Sequence, residues 1–402
     1  MSKQNQYIIL IVDSDMTLGK AAYLNRLTAN LKLKSAEIGK ELEGSSPPSV
    51  FIGSWNYPNV YIGPMMSPEI GNTAVLDTPE EWIPSGLNTK QITELRLQLV
   101  RGKEIAGIKD FDNKLVRQMQ EIALAKKSVY SNAEFAHKPR GVQFSLDDSH
   151  QPFGPSAKLL HFEKDNVKFE QRLEKAYYDV DLKSAPAVIE LYEKDLPFTQ
   201  IQKAFSTGAF GLQKNRRLVP TKWSITAVDD TLGKYLVKKV KENNVIDCFQ
   251  VYEFTALNNY FAVLFVPTVW QYEWMEAFIH IVKDEELIFA DWESNFGKKG
   301  YSSVGGCFYS VRFAAAEKLT QLGKQAGVIV FREAYPGYIP LGVWACREIA
   351  RQALQQQPKN FNTLQDSLNY VNTKLHLGVD RFKAESTLLK GLNIQRNLLA
   401  FM

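Results

Sequence analysis

Lysines and arginines at helical spacing are the first residues in this chain that could do chemistry. In KNRRLVPTKWSITAVDDTLGKYLVKKVK, Lys214, Arg216, Arg217 and Lys222 precede a segment in which Lys234, Lys238 and Lys241 share one helix face. Val228, Leu232, Leu236 and Val240 make the opposing apolar face. A basic face of this kind either contacts phosphates or stays in water. YSSVGGCFYSVRFAAAEKL puts Gly305 and Gly306 at the mouth of a helix, whose N–H groups can receive a phosphate unless the glycines merely permit close packing. Arg312 lies inside that otherwise apolar helix, so it needs an acidic partner or an anion. In FREAYPGYIPLGVWACREIARQAL, Arg347 and Arg351 sit one turn apart on one face, with Arg332, Glu333 and Glu348 available for internal pairing. The planar guanidinium donates two hydrogen bonds at once, which suits phosphate.

Acids near these basic segments offer a second chemistry. Asp229, Asp230, Glu333 and Glu348 would hold a divalent metal if the chain were a nuclease or another phosphodiester hydrolase. Thr226 followed by Asp229 is also the pattern of a capping box, which accounts for both aspartates at a helix start. The sequence contains no P-loop, HExxH, GxSxG, dinucleotide fingerprint or EF-hand loop, so enzymatic activity is neither assigned nor excluded. His137, His150, His161, His280 and His376 are scattered without ligand spacing and receive no role. Cys248, Cys307 and Cys346 are far apart and lack CxxC spacing. They suggest neither a zinc site nor a disulfide framework, and a reducing cytoplasm follows; no metal and no cofactor are expected. Trp223, Trp270, Trp274, Trp292 and Trp344 are core candidates, one or two of which could stack on unpaired bases.

The elements that must position these residues follow from periodicity. With 402 residues, 45% hydrophobic and 23% charged, the chain can bury a large core, and its net charge of +4 does not by itself announce a polyanion partner. The apolar run Tyr7 to Val12 is too short to span a bilayer and reads as a buried strand; no membrane association is expected. Proline and glycine punctuation suggests strands from Val50 to Trp55 and Val60 to Pro64, joined as a hairpin. Amphipathic helices follow between Asn88 and Val129, including the stretch TKQITELRLQLVRG. Beyond Arg216, strand-like runs (CFQVYEF, YFAVLFVP, GVIVFREA) alternate with helical ones, and a last helix is expected over Thr363 to Lys374. The reading is an α+β fold, mixed α/β, with packed subdomains. A divergent N-terminal segment spans 1–43, a mixed core 44–355, a helical extension 356–386 and a flexible tail 387–402.

From Gly44 onward the sequence resembles the archaeal Nre family of DNA repair proteins. The resemblance rests on GSSPPSVFIGSWNYPNVYIGPM, LDTPEEW, LVRG, RRLVPTKWSITAVDDTLGKYL, YSSVGGCFYSVRFAAAEKL and FREAYPGYIPLGVWACREIARQAL, in that order. It implies a role in DNA repair, and DNA is then the expected partner of the basic segments, contacted through Arg216, Arg217, Lys222, Lys234, Lys238, Lys241, Arg312, Arg347 and Arg351. A metal-dependent nuclease or other DNA-processing enzyme is the alternative. It also implies recruitment to the sliding clamp PCNA through the tail QRNLLAFM. The family's clamp-binding pattern is Gln, two residues, an aliphatic, two residues, then two aromatics. Gln395, Leu398 and Phe401 match it, and Met402 replaces the second aromatic. Relatives of the zinc-containing branch carry N-terminal cysteines, whereas this chain has none before Cys248, so zinc does not carry over.

Overall fold

The computed structural model describes residues 23–24, 38–141, 151–282 and 285–392. The strand expected at Tyr7 to Val12 and the clamp-binding pattern lie outside them. The described chain gathers into two compact units, one holding 38–141 and 151–232, the other 23–24 and 233–392.

In the N-terminal unit the strands are β1 (Glu41–Ser46), β2 (Val50–Ile52), β3 (Asn59–Met66), β4 (Val100–Gly107), β5 (Val129–Phe135) and β6 (Ser156–Lys164), ordered β1-β5-β6-β4-β3-β2. The expected hairpin is present, with Val50 opposite Pro64 and Ile52 opposite Ile62. β4 runs parallel to β6 and the other pairs are antiparallel. Ser45 and Ser67 exchange backbone hydrogen bonds of 3.1 and 2.9 Å, so β1 bridges back to the chain just past β3 and the strand circuit closes. The helices are α1 (Pro79–Trp82), α2 (Thr89–Leu97), α3 (Lys114–Leu124), α4 (Gln171–Tyr178), α5 (Ser184–Glu193) and α6 (Phe198–Ser206). The Asn113 side chain accepts from Leu115 N at 2.8 Å and Val116 N at 3.2 Å, which starts α3. Leu115, Val116, Met119 and Ile122 then bury against strand residues such as Val60, Ile62 and Phe135.

The helical pattern through LQLVRG fails at its end. α2 stops at Leu97 and Val100 opens β4, where Arg101 pairs with Met65 and Ser156. A Cβ on Gly63 would lie 1.9 Å from the Gly102 carbonyl oxygen, so β3 and β4 approach this closely only through glycine. Tertiary pairing overrides the local helical period here.

The helix carrying the basic face, α7 (Thr221–Val240), begins in the N-terminal unit and passes into the C-terminal one between Leu232 and Gly233. Its apolar stripe Val228, Leu232, Leu236 and Val240 is buried as expected. The capping-box reading of Thr226 and Asp229 is overturned, because the helix already runs from Thr221 and both residues lie inside it. Pro220 supplies the start, its carbonyl accepting from Trp223 N at 2.9 Å and Ser224 N at 3.0 Å.

The C-terminal unit contains β7 (Phe249–Ala256), β8 (Asn259–Val266), β9 (Gln271–Val282), β10 (Glu285–Glu293), β11 (Gly327–Ala334) and β12 (Lys359–Phe361), ordered β10-β9-β11-β8-β7-β12. β11 is parallel to β9 and antiparallel to β8. Every residue of β8 and β11 is buried, as in strands covered on both faces. The helices are α8 (Gly306–Leu322), α9 (Val343–Gln355), α10 (Leu364–Asn372) and α11 (Val379–Glu385). α10 is the helix expected over Thr363 to Lys374, capped by Thr363 Oγ1 accepting from Asp366 N at 3.1 Å, but it is not the last, since α11 follows it. Leu364, Leu368, Val371 and Phe382 close the core over Leu264, Met275 and Phe331. Among the described residues, no helix is long and apolar enough to cross a membrane.

Candidate nucleic-acid interface

On the N-terminal unit, exposed aromatic rings lie beside a basic helix start. The turn between β2 and β3 carries Trp55, 76% exposed, and Tyr57, 42% exposed, while the first turn of α7 carries Trp223, 42% exposed. Large rings normally bury, so three at one place need a reason. The turn is fixed by Asn59 N donating to Asn56 O at 2.9 Å and Gly53 N to Tyr61 O at 2.8 Å. Asn56 takes the left-handed conformation (φ 65°) that asparagine tolerates. Ile52 N donates to Thr221 Oγ1 at 3.1 Å, tying the end of β2 to the start of α7. The rings of Tyr57 and Trp223 therefore meet, with centroids 5.2 Å apart and planes tilted by 55°. Lys222 shares the helix turn with Trp223, and exposed Arg217 and Lys214 precede it. Ring faces accept unpaired bases, while lysine, arginine and the positive end of a long helix hold phosphates.

Behind the same hairpin lies a buried polar cluster that local sequence patterns did not reveal. Asp77 accepts from Ser49 Oγ and from Arg96 Nη1, and Lys203 Nζ from α6 lies 2.9 Å from its Oδ2. Burial pushes the Asp77 carboxyl up, but Arg96, Lys203 and the Ser49 hydrogen bond outweigh it and hold it below the usual carboxylate range. Arg101 is clasped between Phe51 and Phe153, 4.6 and 3.9 Å from the ring centroids. Burial, with Arg96 adding to it, pulls its guanidinium down to about 9. Ser49, Asp77 and Arg101 come from SSPPS, LDTPEEW and LVRG, so the fold joins three of the stretches that carried the resemblance.

The phosphate-binding set read from sequence divides on folding. Arg217, Lys234 and Lys238 are exposed and Lys222 half-buried. Lys241 donates to the Asn295 carbonyl. Arg216 is committed to three carbonyls, Gly211 O at 2.8 Å, Tyr177 O at 2.8 Å and Asp179 O at 2.9 Å. Arg312 is buried with Nη1 2.9 Å from Glu293 Oε2, which settles its need for an acidic partner. Gly233 makes room for it, since a Cβ there would sit 3.2 Å from the guanidinium. Buried Arg347 donates to Glu348 Oε1 at 2.9 Å, and Arg351 to Glu317 at 2.8 and 3.0 Å. Guanidinium groups held by internal carbonyls or carboxylates have little left to offer a phosphate, so Arg216, Arg312, Arg347 and Arg351 stand apart from the exposed cations. Glu348 thus belongs to an arginine network. Glu333 instead accepts from His376 N at 2.7 Å and Leu377 N at 2.9 Å. Asp229 is buried within α7. Trp270, Trp274 and Trp344 are core residues; Trp223 and Trp292 are not.

Comparison with known proteins agrees with the shared stretches. Residues 17–281 match the family Archaeal Nre, N-terminal, and residues 293–401 match Archaeal Nre, C-terminal. The DNA repair protein NreB of Archaeoglobus fulgidus is 37% identical over 374 residues, covering 91% of this chain and 93% of the relative. DNA repair protein NreA of the same organism is 32% identical over 351 residues (85% and 88%), and that of Haloferax volcanii 30% over 370 residues (88% of each). No solved structure matches. With both family halves and most of the chain's length accounted for in the family's order, the chain belongs to the archaeal Nre family.

Proposed function

We propose that the protein acts in DNA repair by binding DNA with unpaired bases and by docking onto the sliding clamp PCNA, working in the cytoplasm where the chromosome lies. The relatives named DNA repair proteins support the process. The observation that carries the DNA-binding reading is the exposed Trp55, Tyr57 and Trp223 cluster at the basic start of α7. Bases stack on the rings, while Arg217 and Lys222 take the flanking phosphates, a sequence-tolerant mode suited to damaged or opened DNA. Lys234 and Lys238, exposed on the C-terminal part of α7, supply further phosphate contacts. The clamp reading rests on Gln395, Leu398, Phe401 and Met402, which lie outside the described residues. A binding module is favoured over a nuclease because Glu333 and Glu348 are engaged separately, one with backbone N–H groups and the other with arginines. Fluorescence anisotropy with labelled single-stranded and duplex oligonucleotides, across a salt series, tests the proposal. Single strands should bind more tightly, with affinity falling steeply as salt rises. The Lys234→Glu, Lys238→Glu double variant should flatten that dependence by about 0.7 in log–log slope for each phosphate no longer neutralised. Equal affinity for both DNAs, or none, would contradict it.

A further inference from the structure

We infer that His280, Glu286 and His376 form a binding site for a divalent transition-metal ion of zinc-like ligand preference. These three come from β9, β10 and the loop between α10 and α11, and their ligand atoms lie within 4.8 Å of one another. Two imidazoles and one carboxylate are a common three-residue zinc set, and they leave a further position for water. Ligands about 2.0–2.1 Å from one ion are spaced by roughly 3.3 Å in a tetrahedron, so the side chains, exposed at His280 and His376 and half-buried at Glu286, need to close by up to about 1.5 Å. His376 Nε2 and Glu286 Oε1 already stand 3.7 Å apart.

The backbone is arranged around this spot. The β9–β10 register shifts between Glu285 and Glu286, and His280, with φ at 51°, takes the left-handed conformation within the bulge. Bulges re-aim side chains, and a non-glycine residue in this region is strained backbone of the kind that gathers at functional sites. The loop bearing His376 is pinned from below by Glu333, which accepts its backbone N–H and that of Leu377. Arg381 Nη1 lies 3.3 Å from Glu286 Oε2, orienting the carboxylate so that its other oxygen faces His376. A bound ion would staple the helical extension to the edge of the sheet.

The test uses full-length protein without a histidine tag, stripped with EDTA and titrated with Co²⁺. One equivalent should bind, with visible d–d absorption and no thiolate charge-transfer band from Cys248, Cys307 or Cys346. His280→Ala and His376→Ala should each weaken Co²⁺ binding by at least about tenfold. Saturating Co²⁺ should raise the melting temperature of the native sequence and not that of His376→Ala, whose metal-free melting should be unchanged because the side chain is exposed. Equal Co²⁺ affinity in native and His376→Ala protein, or a thiolate band, would show that the three residues form only a surface ion network.

Discussion

Lys203 meets Asp77 twice: its Nζ lies 2.9 Å from Oδ2 and donates to the backbone carbonyl of the same residue at 2.8 Å. With Arg96 on the other oxygen, this aspartate carries the charge balance behind the β2–β3 hairpin. Asp77→Asn should therefore destabilise the fold by about 3–5 kcal/mol, because two buried cations lose their counter-charge. The cost depends on pH. A carboxyl held below its unfolded value of about 3.9 contributes stability that is fully present above that value and is lost as pH falls through the folded one. Urea unfolding of native and variant protein should show a wide gap near neutrality that narrows in strong acid; a gap constant with pH would refute the assignment.

Trp223 separates binding from folding. The residue is 42% exposed, so Trp223→Ala removes the ring contact with Tyr57 and only part of a buried residue's packing, and should shift melting slightly. Base stacking is worth about 1–3 kcal/mol per base, so the same change should weaken single-stranded DNA binding about 5- to 150-fold. Trp55→Ala should act in the same direction. Anisotropy titrations with each variant beside its melting curve make the measurement, and unchanged affinity in both would remove the aromatic cluster from the interface.

Cys346 Sγ donates toward Cys307 Sγ at 3.2 Å, and both thiols are buried. That hydrogen bond, together with burial, raises the Cys307 thiol well above its ordinary value, and a thiol kept protonated is a poor nucleophile. Half-buried Cys248 is placed differently. Ellman's reagent should titrate Cys248 in native protein and reach the other two only after unfolding in guanidinium. Three equally fast thiols would mean that α8 and α9 open readily in solution.

Periodicity and punctuation were enough to locate α10, the β2–β3 hairpin and the apolar stripe of α7, because each is set by residues within a turn or two. What they missed depends on distant partners. Arg312 finds Glu293 at a separation of 19 residues and Arg332 finds Glu276 at 56, pairings fixed by how strands and helices stack. Lys203 reaches Asp77 across 126 residues. His280 and His376 looked unrelated for the same reason. Trp223 was legible as a stacking candidate, but Trp55 and Tyr57 were not, although two aromatics flanking an asparagine in a tight turn are a signal that a surface loop is built for contact.

The tail allows the cleanest division between core and docking segment. Glu273 accepts from Thr387 N at 2.6 Å and Leu388 N at 3.3 Å, and Leu388 and Leu389 are buried in the C-terminal unit's core. The apolar residues before Gly391 are thus spent on the fold, whereas Leu398 and Phe401 lie beyond it in sequence, three apart, as one 3₁₀ turn would align them. Deleting Gln395–Met402 should abolish clamp binding and leave melting nearly unchanged. Leu389→Ala should do the reverse, costing about 2–5 kcal/mol of stability while the clamp still binds. If the tail docks as proposed, burial of Leu398 and Phe401 would contribute roughly 1.5–3 kcal/mol each before ordering costs, so micromolar affinity is expected, and Met402→Phe should tighten it by filling the second aromatic pocket. Isothermal titration of PCNA into the three variants decides the matter: a truncated chain that melts many degrees lower, or still binds, would return the tail to the core.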